Sequence, residues 1–135
     1  MNAERKRLVQ DSWAGISRDH DRVATAFYAR LFEIDSAARP MFAKTDMAEQ
    51  RTKFVAMLGE IVGNLDLPEE LIPSLSALGR RHKDYGVRAI DYDRVREAFF
   101  AALLMELGDR FTDELRDAWE EAYALTASVM KRGAG

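Results

Sequence analysis

Apolar residues return every three or four positions along almost the whole of this 135-residue chain, and no stretch alternates apolar and polar residues between turn formers as a strand does. A helical period kept up over this length commits the chain to an all-α fold in which each helix buries one stripe. The length suits a single domain spanning 1–135 around one core. No apolar run approaches the roughly 20 residues needed to cross a bilayer, so membrane insertion is not expected. Met1–Arg7 is charged where a secretory signal would be apolar, which makes a soluble, cytoplasmic protein the expectation. The absence of cysteine removes disulfides, thiolate ligands and iron–sulfur clusters, and leaves any metal to histidine or carboxylates. The net charge of -3, without a basic run interleaved by aromatics, gives nucleic acid no surface to bind.

A first helix carries Leu8, Val9, Trp13 and Ile16 on one stripe and is expected to stop near Arg18, because Asp19-His20-Asp21 offers caps for the next. The second runs to about Phe32 with Val23, Phe27, Tyr28 and Leu31 inward, and a short helical turn from Asp35-Ser36 leads through Pro40 to Phe42. Thr45 or Asp46 can cap a long third helix whose inner face reads Gln50, Phe54, Met57, Leu58 and Ile61, with Lys53 and Glu60 on its flanks. After Pro68, Pro73 should divide a pre-helix from a helix proper that ends at Gly86. Two long amphipathic helices follow, from Asp91 to Gly108 and from about Thr112 to Val129.

The chemistry concentrates on three polar side chains that lie on apolar stripes. In the helix after Pro73 the inward stripe is expected to be Leu75, Leu78, His82 and Tyr85. An imidazole there is either a core histidine satisfied by a neighbour or a metal ligand. A haem ligand needs a neutral imidazole held in one orientation, and a helical histidine can donate Nδ1–H to the carbonyl four residues back, here Leu78, leaving Nε2 for iron. His20, the one other histidine, sits between aspartates at a helix junction and reads as a solvated corner residue. Gln50 is a boundary residue of the first turn or, with the Tyr28 phenol, part of a small polar cavity, since both groups need partners if buried. Phe42 reads equally as corner packing.

The order of these features resembles the bacterial single-domain haemoglobins allied to the globin domain of flavohaemoglobins. The matching stretches are Phe27-Tyr28-x-x-Leu31-Phe32, Pro40-Met41-Phe42, Gln50-Arg51, Leu78-Gly79-Arg80-Arg81-His82-x-x-Tyr85-Gly86-Val87, and Asp117-Ala118-Trp119 with Ala122-Tyr123. The resemblance covers the chain from about Leu8 to Arg132 and implies a globin fold, a three-on-three helical sandwich with the D helix short or absent. It further implies a non-covalent haem b (iron protoporphyrin IX) with His82 as proximal ligand, Phe42 against the macrocycle, Tyr28 and Gln50 lining the distal pocket, and Val87 at the haem edge. Lys53 and Arg81 become candidates for haem propionate contacts, beside their reading as solvated helix charges. Family members polarise the proximal imidazole through a tyrosine, matched by Tyr92, and a glutamate whose expected place falls near Ala134, so the full relay is not expected. Phe54 stands where a smaller aliphatic is usual, which tightens ligand access.

The resemblance implies reversible binding of O2, NO and CO, with Tyr28 and Gln50 acting on the ligand. NO dioxygenation to nitrate follows as an expectation, with a separate electron donor or reductase because no reductase segment accompanies these residues. A monomer or weak homodimer is expected. A haem sensor acting through a separate partner and a haem-free helical interaction module are the rival classes.

Overall fold

The computed structural model describes residues 1–16 and 20–135; the expected helix stop at Arg18 and the cap at Asp19 lie outside them. Among the described residues there are six α-helices: α1 (Ala3–Gly15), α2 (His20–Ile34), α3 (Met47–Gly63), α4 (Pro68–Asp84), α5 (Ala89–Leu107) and α6 (Asp113–Gly133). Two 3-10 segments, Ser36–Phe42 and Gly108–Arg110, join them, and no separate helix intervenes between Phe42 and α3.

Local chemistry sets the boundaries. The Asp46 carboxylate accepts from the backbone N–H groups of Ala48 and Glu49 and so starts α3, while Thr112 Oγ1 accepts from Leu115 N to start α6. Asp35 caps the 3-10 segment that brings Pro40 and Phe42 round the corner. Gly86, at φ +90, takes the left-handed conformation after α4, and Val87 N–H reaches back to His82 O at 3.0 Å to close the helix end.

Two expectations for α4 are corrected. Pro73 does not divide the segment: α4 is continuous from Pro68 to Asp84 with Pro73 inside it. Pro73 forfeits one hydrogen bond, to the carbonyl of Glu69 in the exposed first turn, where water can take its place. Tyr85 does not extend the inward stripe but stands 72% exposed. It occupies the C-cap, where the backbone has left the helical path.

The core joins Val9, Trp13, Val23, Phe27, Leu31, Phe99, Leu103, Ala118 and Trp119. Helices α1, α3 and α4 form one layer over α2, α5 and α6, with the densest packing between α2 and α5 and between α4 and α6. Helix α3 leans on α2 and α1, whereas α4 leans on α6. The two share little packing with each other. No helix among the described residues is long and apolar enough to cross a membrane.

Candidate functional site

On the α4 side, His82 Nδ1 donates to the Leu78 carbonyl at 2.8 Å. The imidazole is half-buried, and with Nδ1 occupied its free lone pair lies on Nε2. The bond is local, one helical turn long, so the same backbone that builds α4 fixes the ring's tautomer.

Helix α2 contributes Tyr28 and α3 contributes Gln50, and Gln50 Nε2 donates to the Tyr28 hydroxyl at 3.0 Å. Burial pushes the Tyr28 phenol above its ordinary value, and the Gln50 bond acts the other way without reversing it. The phenol is therefore protonated at neutral pH. Since its oxygen accepts from Gln50, its own O–H remains to be donated elsewhere.

Aromatic rings wall this side. Phe54 stacks on Phe27 at 4.4 Å between centroids and meets Tyr28 edge-on at 5.6 Å. Phe42 reaches Tyr28 at 5.6 Å and Phe32 at 5.7 Å, and the Arg39 guanidinium lies over the Phe32 ring. Rings at these separations attract beyond their buried area.

The remaining predicted residues divide. Leu78 supplies the acceptor carbonyl for His82. Val87 and Tyr92 line a cavity of about 240 Å³ with Lys83, Lys131 and Ala134, close behind the His82 end of α4. Position 134 does lie with Tyr92, but a methyl stands where a carboxylate would be needed, and the Lys131 ammonium sits 5.3 Å from the Tyr92 ring centre. The Tyr92 backbone carbonyl accepts the Tyr123 hydroxyl. Lys53 and Arg81 are exposed on α3 and α4 and make no ion pair among the described residues, so both stay available to a ligand anion. His20 is not simply solvated: its ring stacks on Trp13 at 4.2 Å.

Sequence reasoning did not single out Phe27 and Phe32 as ring partners of Tyr28, or Lys131 as the neighbour of Tyr92. The aromatic spacing on α2 signalled the first two. Nothing local in the sequence signals Lys131, because it reads as one of the basic residues that suit a helix C-terminus.

The donor set suits haem rather than a bare ion. Among the described residues no cluster of three histidine or acidic side chains could hold a metal by itself, and His82 Nε2 would offer a single neutral nitrogen to an iron whose other donors come from a porphyrin.

The globin family model matches residues 25–130. The neuroglobin of Danio rerio is 28% identical over 146 aligned positions, covering 98% of this chain and 92% of the relative; that of Dissostichus mawsoni is 27% identical with the same coverage. A hexacoordinated haem protein from an anhydrobiotic tardigrade superposes with a TM-score of 0.90 at 19% identity, covering 99% of this chain and 95% of that one. An engineered carbene transferase from Rhodothermus marinus, described as a nitric oxide dioxygenase candidate, gives 0.87 at 24% identity, covering 99% and 93%. The flavohaemoglobin of Malassezia yamatoensis gives 0.77 at 24% identity and covers 99% of this chain but 36% of that longer one. These structural likenesses speak for the fold.

Proposed function

This chain belongs to the globin family, and from that premise we propose that it holds haem b in the crevice between α3 and α4, with His82 as the iron ligand, and binds small diatomic gases on the side of Tyr28 and Gln50. The observation that carries the reading is the His82 Nδ1 to Leu78 bond, which leaves Nε2 as a neutral, oriented donor. Bound haem supplies the iron at which a gas such as O2, NO or CO is held.

The chain's own residues then decide how tightly. Gln50 donates to the Tyr28 oxygen, which leaves the Tyr28 O–H free to donate to a ligand in the distal space. A donor fixed among Phe27, Phe42 and Phe54 stabilises developing negative charge more than the same donor in water. One such bond contributes about 1 kcal/mol net, roughly a fivefold change in dissociation constant. Val87, Phe42 and Phe54 offer apolar contact to the macrocycle, and Lys53 and Arg81 offer cations to its propionates.

The finer reading is turnover of NO, as in NO + O2 + one electron giving nitrate, with the electron from a separate donor or reductase. It is supported by the buried phenol donor on the distal side. Against a full proximal relay stands the Ala134 methyl where a carboxylate would push electron density toward the imidazole, with the Lys131 ammonium beside the Tyr92 ring. Binding and release of gas is therefore the primary activity here, and NO turnover depends on the donor supplied.

The test is a haem titration of the purified protein, followed by reduction with dithionite and exposure to CO. One equivalent of haem should produce a Soret band that moves on reduction and again with CO. A protein that stays colourless with haem in excess would return the chain to the class of helical interaction modules.

A further inference from the structure

Helix α4 carries His82 yet has almost no partner but α6, so whatever fixes α4 on α6 fixes the imidazole. The contact between the two helices is backbone on backbone at two glycines. A Cβ on Gly79 would lie 2.8 Å from Met130 Cα and closer still to that residue's carbonyl oxygen. A Cβ on Gly133 would lie 2.6 Å from Ser76 Cα and closer to its carbonyl oxygen. The relation is reciprocal, each helix lending a glycine to the other's main chain. Gly63, on α3, has open space at the same position. Ordinary side chains hold helix axes apart, and only glycine lets backbones approach this closely. A third tie follows one residue after His82, where Lys83 Nζ donates to Ala134 O at 3.0 Å.

We propose that the Gly79–Gly133 crossing is the device that places His82, with both glycines acting as positioning residues for the proximal imidazole; this rests on the haem reading above. Gly79 precedes His82 by three residues, about 4.5 Å along the axis at 1.5 Å per residue. A methyl at either glycine forces the two backbones apart by roughly 1 Å to reach ordinary contact distance. Neither backbone is a flexible side-chain end that can turn aside. The displacement passes to His82 because, among the described residues, α4 packs on little besides α6, and a metal-binding imidazole tolerates only about half an ångström of such error.

The experiment compares Gly79→Ala, Gly133→Ala and Lys83→Met with the wild type, and uses Gly63→Ala as the helix-glycine control. Two readouts are taken. In the haem-free protein, hydrogen exchange of α4 amides should lose about tenfold protection in both crossing variants while α1 to α3 keep theirs. In the reduced haem-loaded protein, the iron–histidine stretching band should be displaced by both, and displaced less in the same sense by Lys83→Met. The Gly63→Ala control should leave both readouts at the wild-type position. Crossing variants that fold with the band and the α4 exchange unmoved would overturn the proposal. If the crossing variants do not fold, an unmoved band in Lys83→Met, a change at an exposed side chain, overturns it instead. A wild type that takes up no haem sinks the haem reading, and the exchange comparison then decides the crossing on its own.

Discussion

The two sides of the proposed haem site are built by different means. The wall of α2 and α3 is an interdigitation of rings, Phe27 on Phe54 and Tyr28 against Phe42, with one polar bond inside it. The wall of α4 is a helix whose main chain touches that of α6 at Gly79 and Gly133. Side chains can repack around a lost methylene, whereas touching backbones cannot make room for a gained one. Change on the distal wall should therefore tune the ligand, and change on the proximal wall should damage the frame.

The largest effect that could break this contrast is at Gly79. Gly79→Ala should cost about 3 kcal/mol, the upper part of the range for overpacking, read as a lower urea midpoint. A cost near that of Gly63→Ala, where the methyl meets nothing within 4 Å, would remove the distinction between the walls. Next comes Phe54→Leu, a loss of ring volume in a wall that can partly close. It should cost about 1.5 kcal/mol and speed CO association measured by flash photolysis, because the ring that narrows ligand access is gone.

Tyr28→Phe keeps the ring contacts and removes only the hydroxyl, so stability should hardly move while O2 dissociation quickens about fivefold in stopped flow. An unchanged rate would take Tyr28 out of ligand control.

The smallest effect is in pH. Burial raises the phenols of Tyr28, Tyr92 and Tyr123 above 10.0, helped at Tyr123 by Tyr92 and Asp93 and opposed by Arg96. A raised value means that the fold holds the proton more firmly than the unfolded chain does. The contribution is present in full below 10.0 and is lost as pH climbs through the folded values. Melting temperature should be flat through neutral and mildly alkaline pH and fall above pH 10, less steeply in Tyr28→Phe. A decline beginning near neutrality would assign the sensitivity to other groups.

What could be read from the sequence follows the range of each interaction. Asp46 as a cap, Gly86 as a helix stop and the His82 bond to Leu78 span four residues or fewer, and each stands where local rules put it. The meeting of Tyr28 and Gln50 spans 22 residues, but two polar groups on facing apolar stripes have few partners other than each other. The proximal wall was less legible. Pro73 looked like a divider because its missing N–H weighs heavily in isolation, while the packing of Leu71, Leu75 and Gly79 carries α4 through it. Tyr85 was placed inward by extending a period past the point where the helix ends. The Gly79–Gly133 crossing and the Lys131 ammonium over Tyr92 depend on how α4, α5 and α6 cross, and no spacing within one helix encodes that. The fold was thus legible from stripes and caps, and the site from those of its contacts that are local or chemically exclusive.

The central claim, that α4 presents His82 to iron across the crevice from Tyr28 and Gln50, is tested most directly by absorption spectra of His82→Ala and His20→Ala, reduced and with free imidazole added. The account predicts that His82→Ala loses the wild-type reduced spectrum and regains it when imidazole enters the vacated space, while His20→Ala keeps it throughout. A His82→Ala protein with the wild-type spectrum, or loss of that spectrum in His20→Ala instead, would contradict it.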